Sequence, residues 1–295
     1  MARDPFMRSK LFVPGARAEL FAKAFAGPAD AVSFDLEDSV APALKAEARA
    51  LVAAALQSPA AQAARALRVV RVNALDTPEF EADLAAVVRP GLDLLNLPKP
   101  GSAADVLRAV AALERAEAAN GVTRPIGLLV NIETAAALGR AADIAAAHPR
   151  VVGLQLGLAD LFEPLGIARR DPANVHAAMF ALRLAAGAAG VFACDAAFAE
   201  LDDLDGYRAE AQMAQRLGFI GKSCIHPRQV AIANQVFGVS ADELSAAERV
   251  VEAARAAGDR AAFVVDGRMI DPPFLKRAEA IVAAARALDA RPTTR

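Results

Sequence analysis

The chain alternates between two textures. Short runs rich in Val, Leu, Ile and Phe are nearly continuously apolar, as strands covered on both faces should be. They fall at Lys10–Pro14, Ala31–Leu36, Arg68–Val72, Leu92–Leu97, Ile126–Ile132, Val151–Leu156, Val191–Cys194 and Phe219–Ile225. An alanine-rich stretch with scattered Arg, Glu and Asp follows each run and predicts a helix. These stretches are Arg17–Phe25, Leu44–Leu56, Pro78–Val87, Ala103–Ala118, Thr134–Ala146, Asn174–Ala188, Leu204–Leu217 and Arg228–Val236. Eight β/α units in order predict an α/β fold, a (β/α)8 TIM barrel, over residues 1–238. A doubly wound sheet fits less well, because no GxGxxG follows the first strand. Residues 239–295 exceed what a barrel needs. They hold two more helical stretches, Ala241–Ala257 and Pro273–Leu288, around the segment FVVDGRMIDPP. A C-terminal helical extension is expected there, serving as a lid, an oligomer arm, or both.

Composition narrows the function classes. Hydrophobic residues make up 55% of the 295 positions and charged residues 23%, enough to bury a large core. Thirty-three basic and 35 acidic side chains leave a formal net charge of −2, which argues against nucleic acid as a partner. Two cysteines, Cys194 and Cys224, lack CxxC spacing and read as reduced core residues. The N-terminal MARDPFMRSK has no apolar signal region, and polar residues interrupt every long apolar run. A soluble, cytoplasmic protein without membrane contact is expected.

Barrel active sites form at the C-terminal ends of the strands. Polar residues recur there in seven runs: Asp35, Glu37 and Asp38; Arg71 and Asn73; Lys99; Asn131, Glu133 and Thr134; Asp160; Asp195; and His226. Glu133 and Asp160 end adjacent strands, so their carboxylates can converge across the barrel mouth. Two carboxylates with water and a chelating substrate make an oxygen-rich octahedral site of the kind Mg2+ prefers. Helix capping is the plainer account of both acids. Arg71 closes the run RVVRV and needs an anionic partner. That partner is Glu37 or Asp38, a substrate oxygen, or both in turn. Asp35, Glu37 and Asp38 fit better as groups that support the site, on metal-bound water or substrate, than as direct ligands. His148, His176 and His226 form no zinc pattern, and no GxSxG elbow is present. Of the three, His148 and His176 read as surface helix residues. Lys99 admits a Schiff-base role, but the carboxylate pair beside it makes a metal-enolate route simpler.

At these same residues the sequence resembles the citrate lyase β-subunit-like enzymes of the HpcH/HpaI aldolase superfamily, which include malyl-CoA and citramalyl-CoA lyases. The matching segments run in order over almost the whole chain. They are RSKLFVPG at 8–15, FDLEDSV at 34–40 with Lys45 and Arg49 after it, RVNALDTPEFEADL at 71–84 and LPKP at 97–100. NIETAAAL at 131–138, GLADL at 157–161, GKSCIHPRQV at 221–230 and MIDPPFLKRAEAIV at 269–282 complete them. The resemblance implies a TIM barrel and a divalent metal, usually Mg2+, with Mn2+ as a substitute. It implies reversible carbon–carbon cleavage of a 3-hydroxyacyl-CoA thioester, of malyl, citramalyl or citryl type, to acetyl-CoA and a 2-oxo acid. By position it makes Glu133 and Asp160 the metal ligands and Arg71 the substrate-binding, oxyanion-stabilising group. Asp271 matches an acid that family members supply from a neighbouring subunit's C-terminal lid, which implies a homotrimer or hexamer. Arg17 and Lys23 follow the first strand, where the family binds CoA; helix-surface charge is the alternative for both. Three other activities stay open: a citrate lyase β subunit acting on a thioester of an acyl-carrier protein, a malyl-CoA thioesterase, and an aldolase of free 2-oxo acids.

Overall fold

A computed structural model describes residues 6–258 and 262–289. They divide into two compact units, Met1–Phe237 and Gly238–Arg295. In the first unit eight parallel strands close into a barrel in sequence order. They are β1 (Ser9–Pro14), β2 (Ala31–Asp35), β3 (Leu67–Arg71), β4 (Leu94–Leu97), β5 (Gly127–Ile132), β6 (Val151–Leu156), β7 (Phe192–Asp195) and β8 (Gly221–Cys224). The chain is an α/β protein with a TIM-barrel fold. Closure depends on Gly221: a Cβ there would run into the backbone of Met7 and Arg8, beside the β1–β8 seam that pairs Lys10 with Ser223.

Alternation along each strand sorts side chains to two sides. One side meets the helices in a continuous core that includes Val32, Phe34, Val70, Leu95, Val130 and Leu154. The other side fills the barrel in layers. Met7, Ala31, Val69, Leu94, Leu129 and Phe192 form an apolar layer toward the N-terminal ends. Above it lies a polar layer. Lys10 is fully buried there, and its ammonium donates to Asn96 Oδ1 and Gln155 Oε1, each at 2.6 Å.

The elements follow local chemistry. Ser102, Asp171 and Asp203 cap the helices Ala103–Ala119, Pro172–Ala189 and Leu204–Arg216. The single helix expected at Thr134–Ala146 is instead two, Ala135–Gly139 and Ala141–Ala146. The chain breaks at Arg140 (φ −118°), after a glycine that weakens the helix. The helix expected from Arg17 begins with a 3-10 turn, Ala18–Leu20, and is helical only over Phe21–Ala26. A five-residue helix, Leu158–Phe162, follows β6 where only a polar strand end was expected.

The second unit packs the helix Ala241–Ala257 on Pro272–Asp289 through Ala247, Ala278 and Val282. A capping box formed by Ser240 and Glu243 starts the first helix. Between the helices, strands Phe263–Val265 and Arg268–Ile270 pair antiparallel across Asp266-Gly267, both with positive φ, as a two-residue hairpin turn demands. Among the described residues no helix is long and apolar enough to cross a membrane.

Candidate active site

Seven of the residues expected at the strand ends meet at the C-terminal mouth of the barrel. The centre is Arg71, at the end of β3. Its Nε and Nη2 donate to the two carboxylate oxygens of Asp35, at 2.7 and 2.8 Å. Its Nη1 lies 2.9 Å from Glu37 Oε2 and 3.2 Å from Asp38 Oδ2. A bidentate pair fixes the plane of the guanidinium as well as its place. The acids beside Arg71 therefore include Asp35 as the main partner, with Glu37 and Asp38 sharing the far nitrogen. Burial works against the Asp35 carboxylate, but Arg71 outweighs it and holds the carboxyl below its ordinary range. The same acids hold Arg71 firmly charged against its own burial.

The loop that carries Glu37 and Asp38 is tied from below. Lys45 Nζ donates to the carbonyls of Leu36 and Glu37, both at 2.9 Å, and to Asn73 Oδ1 at 2.5 Å. Asn73 in turn donates to Leu36 O and to Asp83. Arg49 reaches Asp83 at 3.0 Å and also pairs with Glu79. Lys45 and Arg49 thus brace the loop and do not enter the mouth.

Glu133 ends β5 and is buried. Capping does not explain it: Thr134 caps the following helix, its Oγ1 accepting from Ala137 N at 3.1 Å. The carboxylate instead accepts from Lys99 N at 2.9 Å and from Asn131 Nδ2 at 3.2 Å. Lys99 presents that N–H from a left-handed backbone, φ +51°, a conformation that costs a non-glycine residue about 1–2 kcal/mol. Gly157 leaves room for the carboxylate, since a Cβ there would lie 2.5 Å from Glu133 Oε2. Burial first, then the nearby charge of Asp160, pushes the Glu133 carboxyl above its ordinary range.

Asp160 sits in the first turn of Leu158–Phe162 and is half-exposed, with a side-chain accessibility of 44%. Lys99 spans the acids: its Nζ lies 2.9 Å from Glu37 Oε1, 3.4 Å from Asp38 Oδ1 and 3.9 Å from Asp160 Oδ1. Burial opposes the charge on Lys99, but these three acids raise its pKa overall. A Schiff-base lysine needs the free amine; Lys99 is held as an ammonium. Glu37 is pushed up to about 7, chiefly by burial, against the pull of Arg71 and Lys99.

Other expected residues lie elsewhere. Asp195 is fully buried on the helix side of the sheet. It binds Lys222 Nζ at 2.6 Å, and Lys222 also binds Glu210 at 2.7 Å. Arg169 closes this network on Glu210. His226 caps the helix Pro227–Val236 with Nδ1. His148 is not on a helix: it lies in the turn before β6, where its Nδ1 accepts from Arg150 N. His176 is exposed and stacks on Phe180. Arg17 and Lys23 follow β1 in the chain, both exposed, Lys23 within the helix Phe21–Ala26 and Arg17 paired to Glu19. Asp271 belongs to the second unit, between the strand Arg268–Ile270 and the helix Pro272–Asp289. A cleft of about 800 Å3 opens at the opposite, N-terminal end of the barrel, and none of the mouth residues lines it.

The sequence reading missed the polar layer beneath the mouth. Lys10, Asn96 and Gln155 each interrupt an apolar strand on its inward side, which is the signal that marks them. Asn96 Nδ2 donates to Asn131 Oδ1 at 2.7 Å, so the layer reaches Glu133.

A closed parallel barrel whose mouth gathers paired carboxylates, an anchored arginine and a lysine is the frame of an aldolase-type lyase. The chain belongs to the HpcH/HpaI aldolase/citrate lyase family, whose model matches residues 8–227. It is 40% identical over 282 residues to citrate lyase subunit beta of Escherichia coli strain K12, covering 94% of this chain and 93% of that protein. It is 36% identical over 307 residues to an L-malyl-CoA/beta-methylmalyl-CoA lyase of Cereibacter sphaeroides strain ATCC 17029, covering 96% of each. The crystal structure of the protein CitE from Mycobacterium tuberculosis, in complex with magnesium, acetoacetate and coenzyme A, superposes with a TM-score of 0.74. It shares 34% identity, over 97% of this chain and 99% of that one.

Proposed function

We propose that this chain cleaves, reversibly, the carbon–carbon bond of a 3-hydroxyacyl-CoA thioester to give a 2-oxo acid and acetyl-CoA. The observation that carries the reading is the pair Glu133 and Asp160 beside Arg71 at the barrel mouth. The donor set fits a hard divalent cation. Among the described residues no Lys or Arg side chain hydrogen-bonds Glu133, and the nearby charge of Asp160 adds to the cost of ionising Glu133. A third carboxylate or imidazole does not join them among the described residues, which suits Mg2+, an ion that keeps open positions for water and substrate. Bound there, Mg2+ or Mn2+ would polarise the substrate oxygens and hold them in one orientation.

The protein's own groups account for the rest. Arg71, fixed by Asp35, offsets negative charge as it moves onto the thioester oxygen. Asp38, exposed and at the longer distance, is the acid that gives way when a substrate oxygen reaches Arg71 Nη1. Asp271 protonates the acetyl carbon in cleavage and removes that proton in condensation. It acts from the C-terminal unit of a second subunit, closing the site against water within a homotrimer or hexamer. Arg17 and Lys23 contact the phosphates of CoA. The second reading, action on a carrier-protein thioester, is favoured by the similarity to citrate lyase subunit beta.

The test is direct. Incubated with Mg2+ and malyl-, citramalyl- and citryl-CoA, the chain releases acetyl-CoA and a 2-oxo acid, read by mass spectrometry. Free CoA with an intact hydroxy acid means a thioesterase, and no product from any CoA ester favours the carrier-dependent reading. Glu133→Gln loses metal affinity and Asp271→Asn loses turnover with metal binding intact. Mixing the two inactive variants restores part of the activity if Asp271 serves a neighbouring subunit; no recovery refutes that arrangement.

A further inference from the structure

A fully buried lysine without a carboxylate in hydrogen-bond contact is an expensive residue. Lys10 is one. Its Nζ donates to two amide oxygens, Asn96 Oδ1 and Gln155 Oε1, and sits 3.9 Å from the centroid of the Phe12 ring. The charged and titratable groups around it are Cys194, Arg71, Asp35 and Glu133, on β7, β3, β2 and at the end of β5. None of them hydrogen-bonds it among the described residues.

The amides beyond Lys10 have no freedom to turn. Lys10 Nζ gives one N–H to Asn96 and one to Gln155, which the amine can supply as well as the ammonium, and Asn96 Nδ2 is committed to the acceptor-only Leu129 O, so Asn96 faces Lys10 with its oxygen. Asn96 Nδ2 then points the other way, to Leu129 O at 3.0 Å and Asn131 Oδ1 at 2.7 Å. Asn131 has therefore spent its oxygen and turns its Nδ2 to Glu133, at 3.2 and 3.4 Å from the two carboxylate oxygens. A group that donates begins the chain and a carboxylate that accepts ends it. Every hydrogen bond between them runs in one direction.

We infer that Lys10 is a positioning residue for Glu133. It acts through Asn96 and Asn131 to hold the carboxylate in one orientation, and so sets the affinity of the carboxylate pair for a divalent cation. The inference rests on the proposed role of Glu133 as a metal ligand. Without the lysine, Asn96 Oδ1 loses its donor and Leu129 O alone still fixes the amide, so the grip of Asn96 on Asn131, and of Asn131 on Glu133, loosens.

Simple charge arithmetic predicts the opposite sign, and this makes the test sharp. Lys10→Met removes a positive charge from beneath a cation site. Asn96→Asp adds a negative one. On Coulombic grounds both tighten cation binding. The relay predicts that both weaken it, because aspartate pairs with Lys10 but cannot donate to Asn131. Mn2+ binding to the full chain is measured without substrate, by the electron paramagnetic resonance signal of free Mn2+. Lys10→Met and Asn96→Asp should each lose about 10-fold in affinity, the lower end of the range for removing a group that orients a ligand. Glu133→Gln is measured beside them. If it loses affinity while either other variant binds within twofold of the wild type, or more tightly, the relay is wrong and the ligand role stands. If Glu133→Gln binds Mn2+ unchanged, the ligand role fails and takes the inference with it. Should Lys10→Met not fold, Asn96→Asp decides alone, because it keeps the lysine paired.

Discussion

Lys10 also makes a prediction about stability. Burial pushes its pKa down from 10.5 to about 7. The unfolded chain keeps that proton up to about pH 10, whereas the native barrel releases it above about 7. Across this window the unfolded state binds more protons, so stability rises with pH. Between pH 7 and 9 the expected gain is about 2 kcal/mol, from 1.36 kcal/mol for each pKa unit and the partial titration at the lower limit. The two buried thiols act in the other direction from about pH 8.5–9 upward, where the unfolded chain begins to ionise them, and comparison with Lys10→Met, which keeps both thiols, cancels their contribution. Lys10→Met removes the titrating group and with it this slope. It also leaves two buried amide oxygens without their donor, at about 1–3 kcal/mol each, offset by relief of the buried charge. Absolute stability is therefore the wrong readout, and the difference in pH dependence is the right one. The chain has one tyrosine and no tryptophan. Tyr207 is fully buried in the barrel unit, so its fluorescence reports that unit alone. Urea unfolding at pH 7, 8 and 9 should show the wild type gaining about 2 kcal/mol over the variant. Parallel curves would mean that Lys10 is not a cation held in an unfavourable place.

Three further predictions follow from the geometry. Gly157→Ala places a methyl 2.5 Å from Glu133 Oε2, so Mn2+ affinity should drop at least tenfold in a calorimetric titration, and unchanged affinity would contradict the packing. Lys222→Met leaves buried Asp195 without its cation and Glu210 with Arg169 alone; the cost should be about 3–5 kcal/mol by circular dichroism in urea, and a loss under about 1 kcal/mol would show the network to be dispensable. Burial pushes the Cys194 and Cys224 thiols up to about 12, so neither should react with a disulfide reagent at pH 8 until the barrel is unfolded; rapid labelling of the native protein would refute this.

Much of the barrel is legible in the sequence because parallel strands covered on both faces leave a strong mark: a short apolar run with a polar residue just past it. β6 was read to the residue, and the other strands differ mainly at their ends. β4 begins two residues late because Asp93 turns out to accept from Arg68 N. The helix Leu158–Phe162 is five residues long, too short for a 3.6-residue period to show. Within the mouth, residue type and position identified the acids but not their partners. Asp160 and Asp195 look alike in one dimension, each ending an apolar run. In three dimensions one faces the mouth and the other is locked to Lys222 behind the sheet. The expected partner of Arg71 is Glu37 or Asp38; the acid that chelates it is instead Asp35, because β2 and β3 pair Asp35 with Arg71 directly. Lys10, Asn96 and Gln155 went unread because a polar residue inside an apolar run looks like noise until strand parity places all three inside the barrel.

The polar layer also bears on how the barrel is made. Lys10 finds its two acceptors 86 and 145 residues further along the chain. Contacts so distant form late, after much chain entropy has been spent. A first half-barrel, β1 to β4, holds Lys10 and Asn96 but lacks Gln155; the second half holds Gln155 and lacks the cation. Neither half can quench its own interior. A one-residue slip of β1 would turn the ammonium into the helix layer, where no amide waits for it. A compact state that buries this ammonium without both amides bears the desolvation cost that the closed barrel offsets.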